Sequence, residues 1–280
     1  MQLHLTKRYR GWRRQVVVLR SVQHTKSMFK TTPPINRLLA SSVLAVLLVH
    51  AVGCSTVYGP SAVVSPPDKA SLNAAPSFAH WHHYPLPGKE PTEFAIVQMD
   101  GRDVVAASAD ASASMLRQPV RVEPSDLGAI GFSWKVPQLI EQADMAVRQA
   151  DDSPVRVVLA FEGDRSKFSM KNAMLSELSL TITGEPLPYA TLMYVWSNSR
   201  PIDTVITNPR TDRIRKIVVE SGATGLNNWL RYDRNIRADF EKAFGELPGA
   251  LVGIGIMTDT DNTKSKVQAW YGPLNLTAAK

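Results

Sequence analysis

Nine apolar runs of strand length recur between residues 92 and 276, separated by turn-forming residues and without a repeating strand–helix order. They are Thr92 to Met99, Arg102 to Ala109, Pro119 to Glu123, Ala129 to Val136, Val155 to Phe161, Ala190 to Trp196, Arg213 to Glu220, Leu251 to Met257 and Lys266 to Leu276. Alternating or continuous apolar patterns of this length read as strands, and the missing alternation with helices disfavours a doubly wound parallel sheet. The chain therefore reads as mostly β, an antiparallel β-sandwich of jelly-roll type with one or two short helices. Asp100-Gly101, between the first two runs, suits a tight hairpin turn with positive φ at its centre. Helices are expected over Met170 to Leu180 and over Asp233 to Phe244, where Ile236, Phe240 and Phe244 stack at i, i+4, i+8 and Gly245 stops the run.

The only cysteine, Cys54, follows an uncharged 16-residue run from Leu38 to Gly53 that is preceded by Lys30 and Arg37. That run is short for a bilayer span and ends in the modest side chains of Ala51, Val52 and Gly53, as an export signal does. The segment resembles the lipobox of bacterial lipoproteins, although Ala51 stands where Leu is usual. The resemblance implies cleavage before Cys54, attachment of lipid to its thiol, and a periplasmic domain. By the same resemblance, Ser55 beside the lipidated position implies the outer rather than the inner membrane. Residues 1–53 form the signal, with Met28 the start that would give a leader of ordinary length. Residues 54–76, rich in Ser, Pro, Ala and Val, form a flexible tether, and 77–280 form one domain. With no second cysteine, packing alone must hold that domain, and 44% hydrophobic residues supply the material.

The formal charge of +7 belongs to the leader. Residues 1–53 carry nine Lys/Arg and no Asp/Glu, which leaves 23 basic against 25 acidic residues from Cys54 onward. A nucleic-acid-binding surface is therefore not expected.

Candidate sites are acidic. Asp259, Asp261 and Asn262, in Asp259-Thr260-Asp261-Asn262-Thr263 after an apolar strand, crowd hard oxygen ligands that suit calcium or a polar ligand; self-capping of the turn is the structural alternative. An Asp-x-Asp-x-Thr phosphatase motif would need a further domain, and too little chain follows Thr263 to provide one. An EF-hand would need Gly where Lys264 stands. Asp144, Asp151, Asp152 and Asp239 join Asp259 and Asp261 as the carboxylates from which a carbohydrate-active hydrolase would draw its pair. In the alternative, Asp151 and Asp152 meet Arg148 or Arg156. His80 and His82 would share one strand face, a weak metal-ligand pattern. Trp134, Trp196, Trp229 and Trp270 are candidates for stacking on sugars, of which Trp134 and Trp196 lie within apolar strands and read as core.

One set of strings carries a further resemblance. Ser112-Ala113-Ser114 with Leu116, Phe132-Ser133-Trp134-Lys135-Val136, Ala143-Asp144, Asp151-Asp152-Ser153-Pro154-Val155-Arg156-Val157 and Tyr194-Val195-Trp196 are followed by Ile217-Val218-Val219-Glu220-Ser221-Gly222, Ala238-Asp239-Phe240, Ala243-Phe244-Gly245 and Met257 to Thr263. In this order they resemble the bacterial domain-of-unknown-function family 3047, over nearly the whole domain. The resemblance implies no reaction. Asn235 stands where an acidic residue is usual, and Gly272-Pro273 where Gly-Asp is usual. The last strand, with its acidic loop and Tyr271-Gly272, is similar to the closing strand of galactose-binding-like jelly rolls.

These features together point to a membrane-tethered periplasmic lipoprotein, a non-catalytic binding or envelope-associated module whose partners are a membrane and a carbohydrate or other envelope component. No cofactor is expected, calcium aside, and a hydrolase is the alternative.

Overall fold

A computed structural model describes residues 80–279, together with Phe78 and the pair Val17–Val18. The expected leader, tether and Cys54 lie outside the described residues, apart from that pair.

Two seven-stranded sheets form the fold. The first runs β1 (Val17–Val18), β3 (Glu93–Met99), β4 (Arg102–Asp110), β13 (Lys266–Tyr271), β6 (Leu127–Lys135), β11 (Trp229–Asn235), with β14 (Asn275–Ala278) also paired to β6. The second runs β2 (His82–Pro85), β5 (Ala113–Val122), β12 (Leu251–Asp259), β7 (Ser153–Phe161), β8 (Ala190–Ser197), β10 (Ile214–Ser221), β9 (Val205–Thr207). Two helices decorate them, α1 (Met170–Thr183) and α2 (Ile236–Phe244). Val105, Ala107, Ile130, Phe132, Trp134 and Tyr271 of the first sheet share one core with Leu116, Val157, Leu159, Tyr194 and Ile256 of the second. Phe132 stacks on Tyr194 across the layers at 5.5 Å between ring centroids. The mostly β sandwich expected from period-2 patterning is the fold observed. One pairing is parallel, β8 with β10, because β9 intervenes as the antiparallel partner of β10.

The hairpin reading holds in detail. Met99 pairs with Arg102, and Asp100 and Gly101 have φ of 52° and 76°, the doubly positive turn that matches strand twist. Other boundaries move. The second helix begins at Ile236, not Asp233, because Asn235 caps it by accepting from the Ala238 N–H, while Asp233 belongs to β11 opposite Gly131. The long closing strand breaks at Gly272-Pro273. Gly272 donates its N–H to the Ser133 carbonyl at 2.9 Å, and a Cβ there would sit 2.2 Å from Ser133 Oγ. Pro119 to Glu123 proves to be the end of a longer strand that begins at Ala113. β2, β9 and most of β11 went unread because they are polar or very short.

Candidate functional site

On β7, Val155, Val157, Leu159 and Phe161 point into the core, so Arg156 points to the outer face of the second sheet. That face is not solvent-exposed. Met145, from the segment between β6 and β7, packs over it with Val158, Met193, Val218 and Met257. Arg156 is thereby buried with Lys216 of β10, which is 0% exposed. Two carboxylates, Asp151 and Asp259, converge on these cations. Asp151 Oδ1 accepts from Lys216 Nζ at 2.7 Å and from Arg156 Nη2 at 3.2 Å, and its Oδ2 accepts from Asn208 at 3.0 Å. Arg156 Nη2 reaches Asp259 Oδ2 at 3.0 Å. Asp261 is paired with Lys89, and Arg210 stands 3.9 Å from Asp151. Three acids, Asp151, Asp259 and Asp261, thus face Arg156, Lys216, Lys89 and Arg210.

Asp152 works differently. Its oxygens accept from the N–H groups of Thr263 (2.7 Å) and Asn262 (3.2 Å) and from their side chains at 2.6 and 2.9 Å. Burial pushes its pKa up, but these donors outweigh that and hold it below the usual carboxylate range. Asp259 shifts the other way. Burial raises its pKa well above normal, the Arg156 charge opposes, and the carboxylates of Asp152 and Asp261 reinforce the rise. Lys216 is lowered to about 8, by burial first and then by Arg156, against the pull of Asp151.

The structure therefore brings together Asp151, Asp152, Asp259, Asp261 and Asn262, and leaves two candidates elsewhere. Asp239, in the first turn of α2, accepts from Tyr194 Oη at 2.9 Å and from Arg234 at 2.7 and 2.8 Å. Asp144 pairs with Arg200 at 2.8 Å near the surface. Arg156, which the sequence offers as a partner for Asp151 or Asp152, meets Asp151 and also Asp259. Asp261 does not face solvent, because the Lys89 segment covers it. Carboxylate oxygens of Asp152, Asp259 and Asp261 lie within 4.8 Å of one another, close enough to share a cation. Each already has a protein partner. His80 precedes β2 rather than lying on it, and His83 Nε2 is 2.8 Å from Ser114 Oγ, so the histidine face does not form.

A second assembly lies on the outer face of the first sheet. Trp134 and Trp196 are core, 0% and 1% exposed. Trp270 and Trp229 are half-buried, and both sit directly opposite Lys135, Trp270 across β13·β6 and Trp229 across β11·β6. Opposed residues share a face, so the register sets a row Ala95, Ala106, Trp270, Lys135, Trp229 across five strands. The hairpin tip fixes one end. Asp100 Oδ2 accepts from Trp229 Nε1 at 3.0 Å, and the Arg102 guanidinium lies 4.2 Å over the same ring. Two strand spacings of about 4.8 Å separate the backbones of the two tryptophans.

A family model described as a protein of unknown function, DUF3047, matches residues 79–275. No curated protein matches the chain. Among solved structures, one described as "CBM4 structure and function" aligns at 8% identity over 76% of this chain and 99% of its own, with a TM-score of 0.34. The xyloglucanase domain of NopAA, a type three effector from Sinorhizobium fredii in complex with cellobiose, aligns at 9% identity over 72% of this chain and 100% of its own, with a TM-score of 0.36. SGBP-B from a complex xyloglucan utilization locus in Bacteroides uniformis aligns at 8% identity over 74% of this chain and 64% of its own, with a TM-score of 0.28.

Proposed function

The chain belongs to the DUF3047 family of proteins of unknown function, and we propose that it is an exported, lipid-tethered binding module whose ligand, a carbohydrate of the cell envelope, lies across the outer face of the first sheet. The observation that carries the binding reading is the row Trp270–Lys135–Trp229. Two indoles on one sheet face, carried by backbones about 10 Å apart, suit stacking on the apolar faces of successive sugar rings, and a lysine between them supplies a donor for ring hydroxyls. Asp100 and Arg102 hold Trp229 in one orientation before any ligand arrives, which lowers the ordering cost of binding.

The rival hydrolase requires two carboxylates about 5 to 9.5 Å apart, facing an open cleft, one of them free to give or take a proton. The four that converge here are buried, and each is engaged by a cation or by backbone N–H groups. Such a network is suited to fastening the segment before β7 and the turn after β12 onto the second sheet. Export and acylation are supported by the uncharged run that ends at Cys54 and by the basic residues before it; cleavage there would take β1 away with the leader and leave β3 as an edge of the first sheet. Cys54→Ser should release the domain from the membrane fraction, and a panel of envelope polysaccharides should bind wild type but not Trp229→Ala/Trp270→Ala. Unchanged fractionation would remove the tether, and equal binding by the double variant would remove the ligand face.

A further inference from the structure

Helix α1 is oriented against the usual rule. Its buried residues are the polar Asn172 and Ser176, while Met170, Met174, Leu178 and Ile182, at strict i+4 spacing, are 82, 67, 55 and 57% exposed. Amphipathic helices of globular domains do the reverse. The inversion is built in by the inner partners. Asn172 donates to Asp212 at 2.7 Å and accepts from Thr211 at 2.7 Å, and Ser176 accepts from Arg165 at 2.9 Å. Ser169 caps the N-terminus and Gly184 closes the C-terminus, so the helix is held in this roll by hydrogen bonds rather than by apolar packing. The result is an apolar ridge about 18 Å long, three i+4 steps of 1.5 Å rise per residue.

The ridge lies beside the point where the N-terminal segment enters the domain. Just beyond α1, Glu185 is bridged by the Arg117 guanidinium at 2.6 and 2.7 Å. Arg117 is the β5 residue opposite His82, the first residue of β2, and its guanidinium lies 3.8 Å over Tyr84. The described chain therefore enters the domain, at β2, next to the C-terminal end of α1. A flexible chain of 23 residues, the length of the tether expected from the sequence, would have a root-mean-square span of about 27 Å and keep the ridge within reach of the surface that holds its other end.

We infer that the exposed face of α1 is a membrane-docking surface, seated on the bilayer to which Cys54 tethers the chain; the inference rests on the acylation proposed above. Large exposed apolar patches mark membrane or partner contacts, and unbranched Met side chains adapt to a fluid surface. An in-plane helix with its apolar face at the headgroup boundary binds weakly by itself, and a tether converts weak contact into occupancy through effective concentration. Docking by this ridge would fix the orientation of the domain.

The acylated chain, purified and reconstituted in phosphatidylethanolamine–phosphatidylglycerol vesicles, gives the test. Lipidation consumes the Cys54 thiol, so Leu178→Cys accepts a spin label specifically, and Gln268→Cys on β13 is the control. The label at 178 should become severalfold less accessible to a water-soluble nickel chelate and more accessible to oxygen than in detergent, whereas the label at 268 should not change. Met174→Glu/Ile182→Glu should cancel the difference. Unchanged nickel accessibility at 178, or dipolar broadening from the label of a second copy, would overturn the inference. The mass of the Cys54 peptide reports acylation independently: an unacylated Cys54 sinks the tether and the docking together, whereas an acylated Cys54 with a water-exposed label sinks the docking alone.

Discussion

Lys216 Nζ lies 2.7 Å from Asp151 Oδ1, a contact between β10 and the residue pair that precedes β7, and neither side chain reaches solvent. Such a pair is not a large net stabiliser, because desolvation offsets most of the attraction, yet removing one partner strands the other. Asp151 is the more costly to lose, since Arg156 and Arg210 also face it.

Asp151→Ala should accordingly destabilise the domain by about 3–5 kcal/mol. Asp144→Ala, which breaks a half-exposed pair with Arg200, should cost about 1 kcal/mol. Chemical denaturation of both variants measures the contrast, and equal losses would show that the Asp151 network is not fastening the sheet.

The depressed Lys216 gives a pH signature. Its folded pKa of about 8 lies below the ordinary 10.5, so between those values the unfolded chain binds more protons. Stability from this group therefore rises as pH rises from 8 towards 10.5, and the charged-state penalty is present in full below 8. Above pH 10 the buried Tyr194, Tyr232 and Tyr271 act oppositely, since burial raises their pKa values and the unfolded chain ionises first. Wild type compared with Lys216→Met between pH 7.5 and about 9.5 isolates the lysine. A rise in wild type that the variant lacks is expected, and parallel curves would contradict the assignment.

Calcium should find no vacancy at Asp152, Asp259 and Asp261. Their oxygens are near enough to one another, but Arg156, Lys89 and the Thr263 and Asn262 donors already compensate them. Millimolar calcium should leave the melting temperature unchanged within about 1 °C; a tight site would raise it by several degrees. Such a rise, lost in Asp261→Asn, would make this a calcium-binding turn.

The strands were legible because β7, β8 and β12 carry continuous apolar runs and β4 with β3 brackets an Asp-Gly turn. The site was legible only in part. Asp151, Asp152, Asp259, Asp261 and Asn262 were singled out by local density, which reports acid crowding; of the cations that answer it, only Arg156 was named, as the partner it is for Asp151. Lys216 was missed, although Ile214 and Val218 flank it on its own strand face and mark that face as apolar. Arg156, between Pro154 and Val158 on its face, carries the same signal. What period-2 reasoning cannot supply is the cover. The segment before β7 turns an outer face into a second interior, and only long-range packing reveals it. The Trp270–Lys135–Trp229 row was equally hidden, because it depends on strand order and register rather than on spacing along the chain.

Affinity electrophoresis in envelope polysaccharide, paired with an assay for newly released reducing ends, tests the central claim most directly. Wild type and Asp259→Asn should both be retarded in a bound polysaccharide, Trp229→Ala/Trp270→Ala should migrate freely, and no reducing ends should accumulate with any of them. Release of reducing ends by wild type that Asp259→Asn abolishes, with the tryptophan variant still retarded, would make the buried carboxylates catalytic and contradict the binding-module account.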